Sequence, residues 1–134
     1  MYKNILIYAD NAEDALNAVK SVTNETPCPS IEMITFLYIF PVSHQLEEII
    51  QEGIKLEEKL YANSSFVEEA CRYLDKLEIK HQKLVRIGNP SQEIALITQS
   101  DRYDLLITAK AESKETLKSI AQKARCPVLI LNKK

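Results

Sequence analysis

Five short apolar runs alternate along this chain with four stretches of helical periodicity, and that alternation is its strongest constraint. The runs fall at residues 4–9, 32–40, 80–87, 104–109 and 128–131. Each is bounded by polar or turn-forming residues, as expected of strands rather than buried helix segments. Between the first two, Ala12, Ala15, Leu16, Val19 and Val22 recur at helical spacing. A long second helical stretch runs from Leu46 through Leu60, Val67, Cys71 and Leu74 to Leu77, with Gly53 as a point where it splits in two. Ile94, Ala95 and Ile97 carry the third, and Leu117, Ile120, Ala121 and Ala124 the fourth. The order is therefore βαβαβαβαβ. Strands separated by helices are joined by crossovers, which places them in a parallel sheet with helices on both faces. The length of 134 residues suits one domain over 1–134, and no linker, repeat or low-complexity tract divides it.

Local punctuation agrees with these boundaries. Asp10 and Glu13 have capping-box spacing ahead of the first helix, with Asn11 as a rival cap. On this reading capping is the main role of Asp10. Thr26-Pro27-Cys28-Pro29 stops that helix, because proline has no amide hydrogen to give to a helix interior. In Gly88-Asn89-Pro90-Ser91-Gln92 the asparagine is placed to cap, and the proline occupies the first helical position. Ser113 is placed to cap the last helix, and Cys126-Pro127 breaks it before the final strand. The third strand is the polar one. His81, Lys83, Val85 and Ile87 share one side, Gln82, Leu84 and Arg86 the other, as suits an edge.

Charge and composition exclude several functions. The net charge is −2, with acids and bases interspersed, so there is no basic stripe for nucleic acid or an anionic membrane surface. The longest apolar run, around residues 36–42, is far too short to span a bilayer. Residues 1–10 lack the pattern of a secretory signal, and three widely spaced cysteines (Cys28, Cys71, Cys126) suit reduced thiols; both point to the cytoplasm. No Cys or His pair has metal-ligand spacing, and His44 and His81 are the only histidines, so neither a metal nor a catalytic residue is expected. The pairs Glu47-Glu48, Glu57-Glu58 and Glu68-Glu69 do not share a helix face and read as solvated surface. Cys126 reads as packing at a helix–strand joint, with a redox role as the rival reading. A phosphoacceptor receiver domain shares the alternation but needs paired acids after strand 1 and an aspartate after strand 3, whereas here strand 1 ends Ala9-Asp10 and strand 3 ends Ile87-Gly88.

Four segments together resemble the universal stress protein family. They are Tyr2-Lys3-Asn4-Ile5-Leu6-Ile7 running to Asp10, Gly88-Asn89-Pro90, Tyr103-Asp104-Leu105-Leu106-Ile107, and Ala124-Arg125-Cys126-Pro127-Val128-Leu129-Ile130. The resemblance covers essentially the whole chain. It implies an open five-stranded parallel sheet of order 3-2-1-4-5, in a three-layer Rossmann-like α/β fold. Ligand would then lie where the strand order reverses, outside the carboxyl ends of strands 1 and 4. By resemblance the residues there are Asp10, beside an adenosine; Ile39, lining the pocket; and Ala109 and Lys110, at the end of strand 4.

The family's phosphate loop, Gly-x2-Gly-x9-Gly-Ser/Thr, is missing. After strand 4 the chain reads Ala109-Lys110-Ala111-Glu112-Ser113-Lys114-Glu115, and no glycine follows Gly88. A phosphate cradle needs amides in close approach, often at positive φ, which glycine allows and other residues resist. Glu112 and Glu115 would repel phosphate, with Lys110 and Lys114 as partial compensation. The expectation is a non-enzymatic stress-response or signalling module with no tightly held cofactor, acting through an unidentified protein partner. The alternative is a member that binds ATP or AMP, with weak hydrolysis, through a rebuilt loop. Strand 5, with Val128, Leu129, Ile130 and Leu131, is uniformly apolar at an open edge, and is expected to meet its mate in a homodimer.

Overall fold

The computed structural model describes residues 2–25, 30–40 and 65–131. Among the described residues five strands and four helices follow in order: β1 (Asn4–Tyr8), α1 (Ala12–Glu25), β2 (Met33–Phe40), α2 (Glu68–Lys76), β3 (Lys80–Ile87), α3 (Pro90–Ser100), β4 (Leu105–Thr108), α4 (Lys114–Lys123) and β5 (Val128–Ile130). A 3-10 turn, Ser65–Val67, leads into α2. The expected split at Gly53, the residues from Leu46 to Leu60, His44 and Cys28 lie outside the described residues.

All four strand pairings are parallel, and the sheet order is β3-β2-β1-β4-β5. This is the expected order. The central strand β1 is aliphatic on both faces, because helices cover both. Ile5 and Ile7 join one cluster with Ala15, Val19, Ala70 and Leu74 from α1 and α2. Leu6 and Tyr8 join the other with Ile94 and Ile97 of α3 and Ile120 of α4. Burying one such aliphatic side chain fully contributes about 1.5–3 kcal/mol. The alternation of faces along β1 is thus what holds the three layers together. No described helix is long and apolar enough to cross a membrane.

The helix starts obey local chemistry. Asn89 Oδ1 accepts from the amides of Ser91 at 3.1 Å and Gln92 at 3.3 Å, with Pro90 in the first turn. Ser113 Oγ accepts from the Thr116 amide at 3.1 Å. Within α4, Ile120 is buried while Ala121 faces solvent, so its buried stripe is narrower than the spacing implied.

The Asp104 that leads β4 has a clear structural task. Its Oδ2 accepts from the amides of Lys3 at 2.8 Å and Asn4 at 2.9 Å. The backbone of Asp104 in turn donates to the Asn4 carbonyl at 2.8 Å. These bonds set the register between the starts of β1 and β4, and so align their carboxyl ends.

Candidate functional site

The chain adds strands β2 and β3 on one side of β1, then returns to add β4 and β5 on the other. The carboxyl ends of β1 and β4 therefore diverge into crossovers on opposite sides and leave a crevice, the position where open α/β sheets bind ligands. Ala109 and Lys110 close it at the backbone: both amides donate to the Tyr8 carbonyl, at 2.8 and 3.2 Å.

Three side chains meet there. Tyr8, only 1% exposed, donates from its hydroxyl to Glu112 Oε1 at 2.9 Å. Lys110 Nζ lies 2.9 Å from the same oxygen and 5.6 Å from the centroid of the Tyr8 ring. Burial, and then the neighbouring Glu112 carboxylate, push the Tyr8 hydroxyl far above the ordinary tyrosine range. Beside Tyr8 in the sheet register, Thr108 is buried, and its Oγ1 has no hydrogen-bond partner. A pocket of about 180 Å³ opens along residues 109–112 and against Leu117, Ile130 and Leu131. That is below the roughly 300–1,000 Å³ usual for small-molecule sites.

Asp10 stands exposed at the end of β1, and it is not the cap of α1. Asn11 takes that role, accepting the Asp14 amide on Oδ1 at 2.9 Å, while its Nδ2 donates to Asp10 Oδ1 at 3.1 Å. The helix begins at Ala12, so the residue immediately before it is the one whose side chain reaches the first free amides. The Asp10 charge is felt instead by Tyr38, whose hydroxyl is raised first by burial and then by Asp10. Ile39 is packed in the cluster containing Tyr8 and Leu37, 3% exposed. Lys110 is held against Glu112 and Tyr8 rather than reaching out as a free charge, while Lys114 is exposed.

Among the described residues, positive φ occurs at Glu78 and Gly88 only. Residues 109–113 therefore present no run of left-handed amides of the kind that cradles phosphate. No group of three or more His, Cys, Asp or Glu among the described residues is arranged to hold a metal ion. Cys71 and Cys126 are free thiols, and burial raises both above the usual range, which lowers their thiolate fraction. Cys126 packs against the α3–α4 cluster.

The model of the universal stress protein family matches residues 1–132. The chain belongs to the universal stress protein family. Among solved structures, the hypothetical protein MJ0577 superposes with a TM-score of 0.73 at 22% identity, covering 100% of this chain and 98% of that one. The universal stress protein UspA from Lactobacillus plantarum gives 0.63 at 19% identity, covering 98% of each chain. An Arabidopsis thaliana member of the family, solved with AMP bound, gives 0.70 at 11% identity over 98% of this chain and 92% of that one. At these identities the likeness speaks to the fold. No curated protein matches the chain.

The sequence pointed to Asp10, Ile39, Ala109 and Lys110, and missed Tyr8. Its signal was a lone hydroxyl-bearing ring at the end of an aliphatic strand, because a buried tyrosine hydroxyl needs a partner.

Proposed function

We propose that this universal stress protein is a non-enzymatic stress-response or signalling module that does not hold ATP tightly. The observation that carries the reading is the Glu112 carboxylate, drawn into the crevice by Tyr8 and Lys110. A carboxylate there opposes a triphosphate electrostatically. It also ties up the lysine best placed to compensate. The missing glycines and the absence of positive φ over residues 109–113 support the same reading.

The rival reading, ATP or AMP binding with weak hydrolysis, draws on the AMP-bound Arabidopsis relative. Calorimetric titration of the wild-type protein with ATP, ADP and AMP tests the choice. No saturable heat is expected through the micromolar range, and micromolar affinity for any of the three reverses the conclusion.

The module acts as a homodimer through β5. Among the described residues, that strand pairs with β4 on one side only, and Leu129 and Ile130 are 40% and 38% exposed beside the open edge. Val128 and Leu131 pack inward against the two core clusters. Pairing two such edges about a two-fold axis would satisfy their free backbone groups. Light scattering after size exclusion is expected to give a dimer mass; a clean monomer at micromolar concentration rejects this part.

A further inference from the structure

Two donors of different chemistry converge on one oxygen in the crevice. The Tyr8 hydroxyl and the Lys110 ammonium each lie 2.9 Å from Glu112 Oε1. The lysine and glutamate side chains are 25% and 14% exposed, so this pairing is sheltered from water. A phenol and an ammonium aimed at a single point recognise an oxyanion, and charge-assisted bonds of this kind are the strong ones. Glu112 is not the only tie on this segment. The amides of Ala109 and Lys110 already bond to the Tyr8 carbonyl, and Ser113 independently caps α4.

We propose that Tyr8 Oη and Lys110 Nζ form a binding site for a small oxyanion, phosphate or carboxylate, and that Glu112 is its built-in, displaceable occupant. The proposal rests on the reading above and deepens it: the crevice refuses nucleotides because an internal carboxylate already holds the donors an external anion would use. The 180 Å³ pocket beside Lys110 and Glu112 is of a size for a small anion rather than a nucleotide. Asp10 also lies within electrostatic reach of Tyr8 and weakens any anion there.

The test is titration with inorganic phosphate and with acetate, followed by NMR shifts, for wild type, Glu112→Ala and Glu112→Asn. Removing the occupant leaves a buried hydroxyl and a sheltered ammonium without their partner, and phosphate affinity should rise about tenfold or more. Tyr8→Phe or Lys110→Met in the Glu112→Ala background should abolish the gain. Acetate gaining and phosphate not would narrow the ligand to carboxylates; the converse would narrow it to phosphate. No gain for either anion, or a gain that survives both donor substitutions, overturns the proposal. So does failure of both Glu112 variants to show a cooperative melt, because a carboxylate required for folding is not a displaceable occupant. ATP titration of the wild type judges the functional reading separately. A wild type without ATP affinity, combined with no anion gain in the variants, rejects this inference alone.

Discussion

Replacing Gly88 by alanine should destabilise the domain by about 1–2 kcal/mol, mostly through the backbone. Gly88 ends β3 at φ 149°, donates its amide to the Phe40 carbonyl at 3.1 Å, and hands the chain to the Asn89 cap. An added Cβ would stand 3.1 Å from Glu93 Oε2, 3.2 Å from its Cγ and 3.3 Å from its Cδ. Those atoms belong to a flexible, half-exposed side chain that can rotate away at little cost. The backbone has no such escape, and a non-glycine residue in a sparsely populated region costs roughly 1–3 kcal/mol. Restricting the unfolded chain returns about 0.4–1 kcal/mol. For a domain of intermediate size the net loss corresponds to a fall in Tm of about 4–8 °C. Urea and thermal unfolding of wild type, Gly88→Ala, Glu93→Ala and the double variant, at one protein concentration, measure it. The coupling energy between the two sites should stay below about 0.5 kcal/mol. A Gly88→Ala protein as stable as wild type would refute the backbone argument. So would a loss that disappears in the Glu93→Ala background, since the crowding of one side chain would then be the whole effect.

Three further outcomes are expected. Asn89→Ala, which removes the acceptor for two α3 amides, should cost about 1 kcal/mol in urea unfolding. The amides of Asn4 and Lys3 hold the Asp104 carboxyl below the usual carboxylate range. The folded state therefore binds that proton less readily than the unfolded chain, so the stabilisation is present above about pH 4 and lost as pH falls further. Asp104→Asn should flatten the acid limb of stability against pH. Tyr8 has the opposite sign. Its hydroxyl is raised, so its contribution is complete below about pH 10 and is lost as pH rises beyond that. In a spectrophotometric titration Tyr8 should ionise late, with alkaline unfolding, and Tyr8→Phe should remove that late step.

Much of the fold was legible because its signals are local. A run such as Ile5-Leu6-Ile7 can only be buried on both faces, and Asn89-Pro90 can only begin a helix in this context. At the first helix Asp10 and Asn11 are both good caps by type, and only the actual start at Ala12 decides for Asn11. The candidate site was half legible. The missing glycines and the acid at Glu112 could be read directly, but where Glu112 points could not. The sequence places it only as a charge near the phosphates, whereas its carboxylate bonds to a residue 104 positions earlier in the chain.

The sequence by itself determined the order of the described elements, the two buried faces of β1, the starts of α3 and α4 and the lack of a glycine-rich phosphate loop. All of these depend on residue types within a few positions of one another. Only the tertiary structure decided that Tyr8, Lys110 and Glu112 share one oxygen, and that Asp104 ties down the start of β1. Those contacts join residues that become neighbours only when β4 docks beside β1, and a side chain's partner at such a distance is chosen by packing rather than by local propensity.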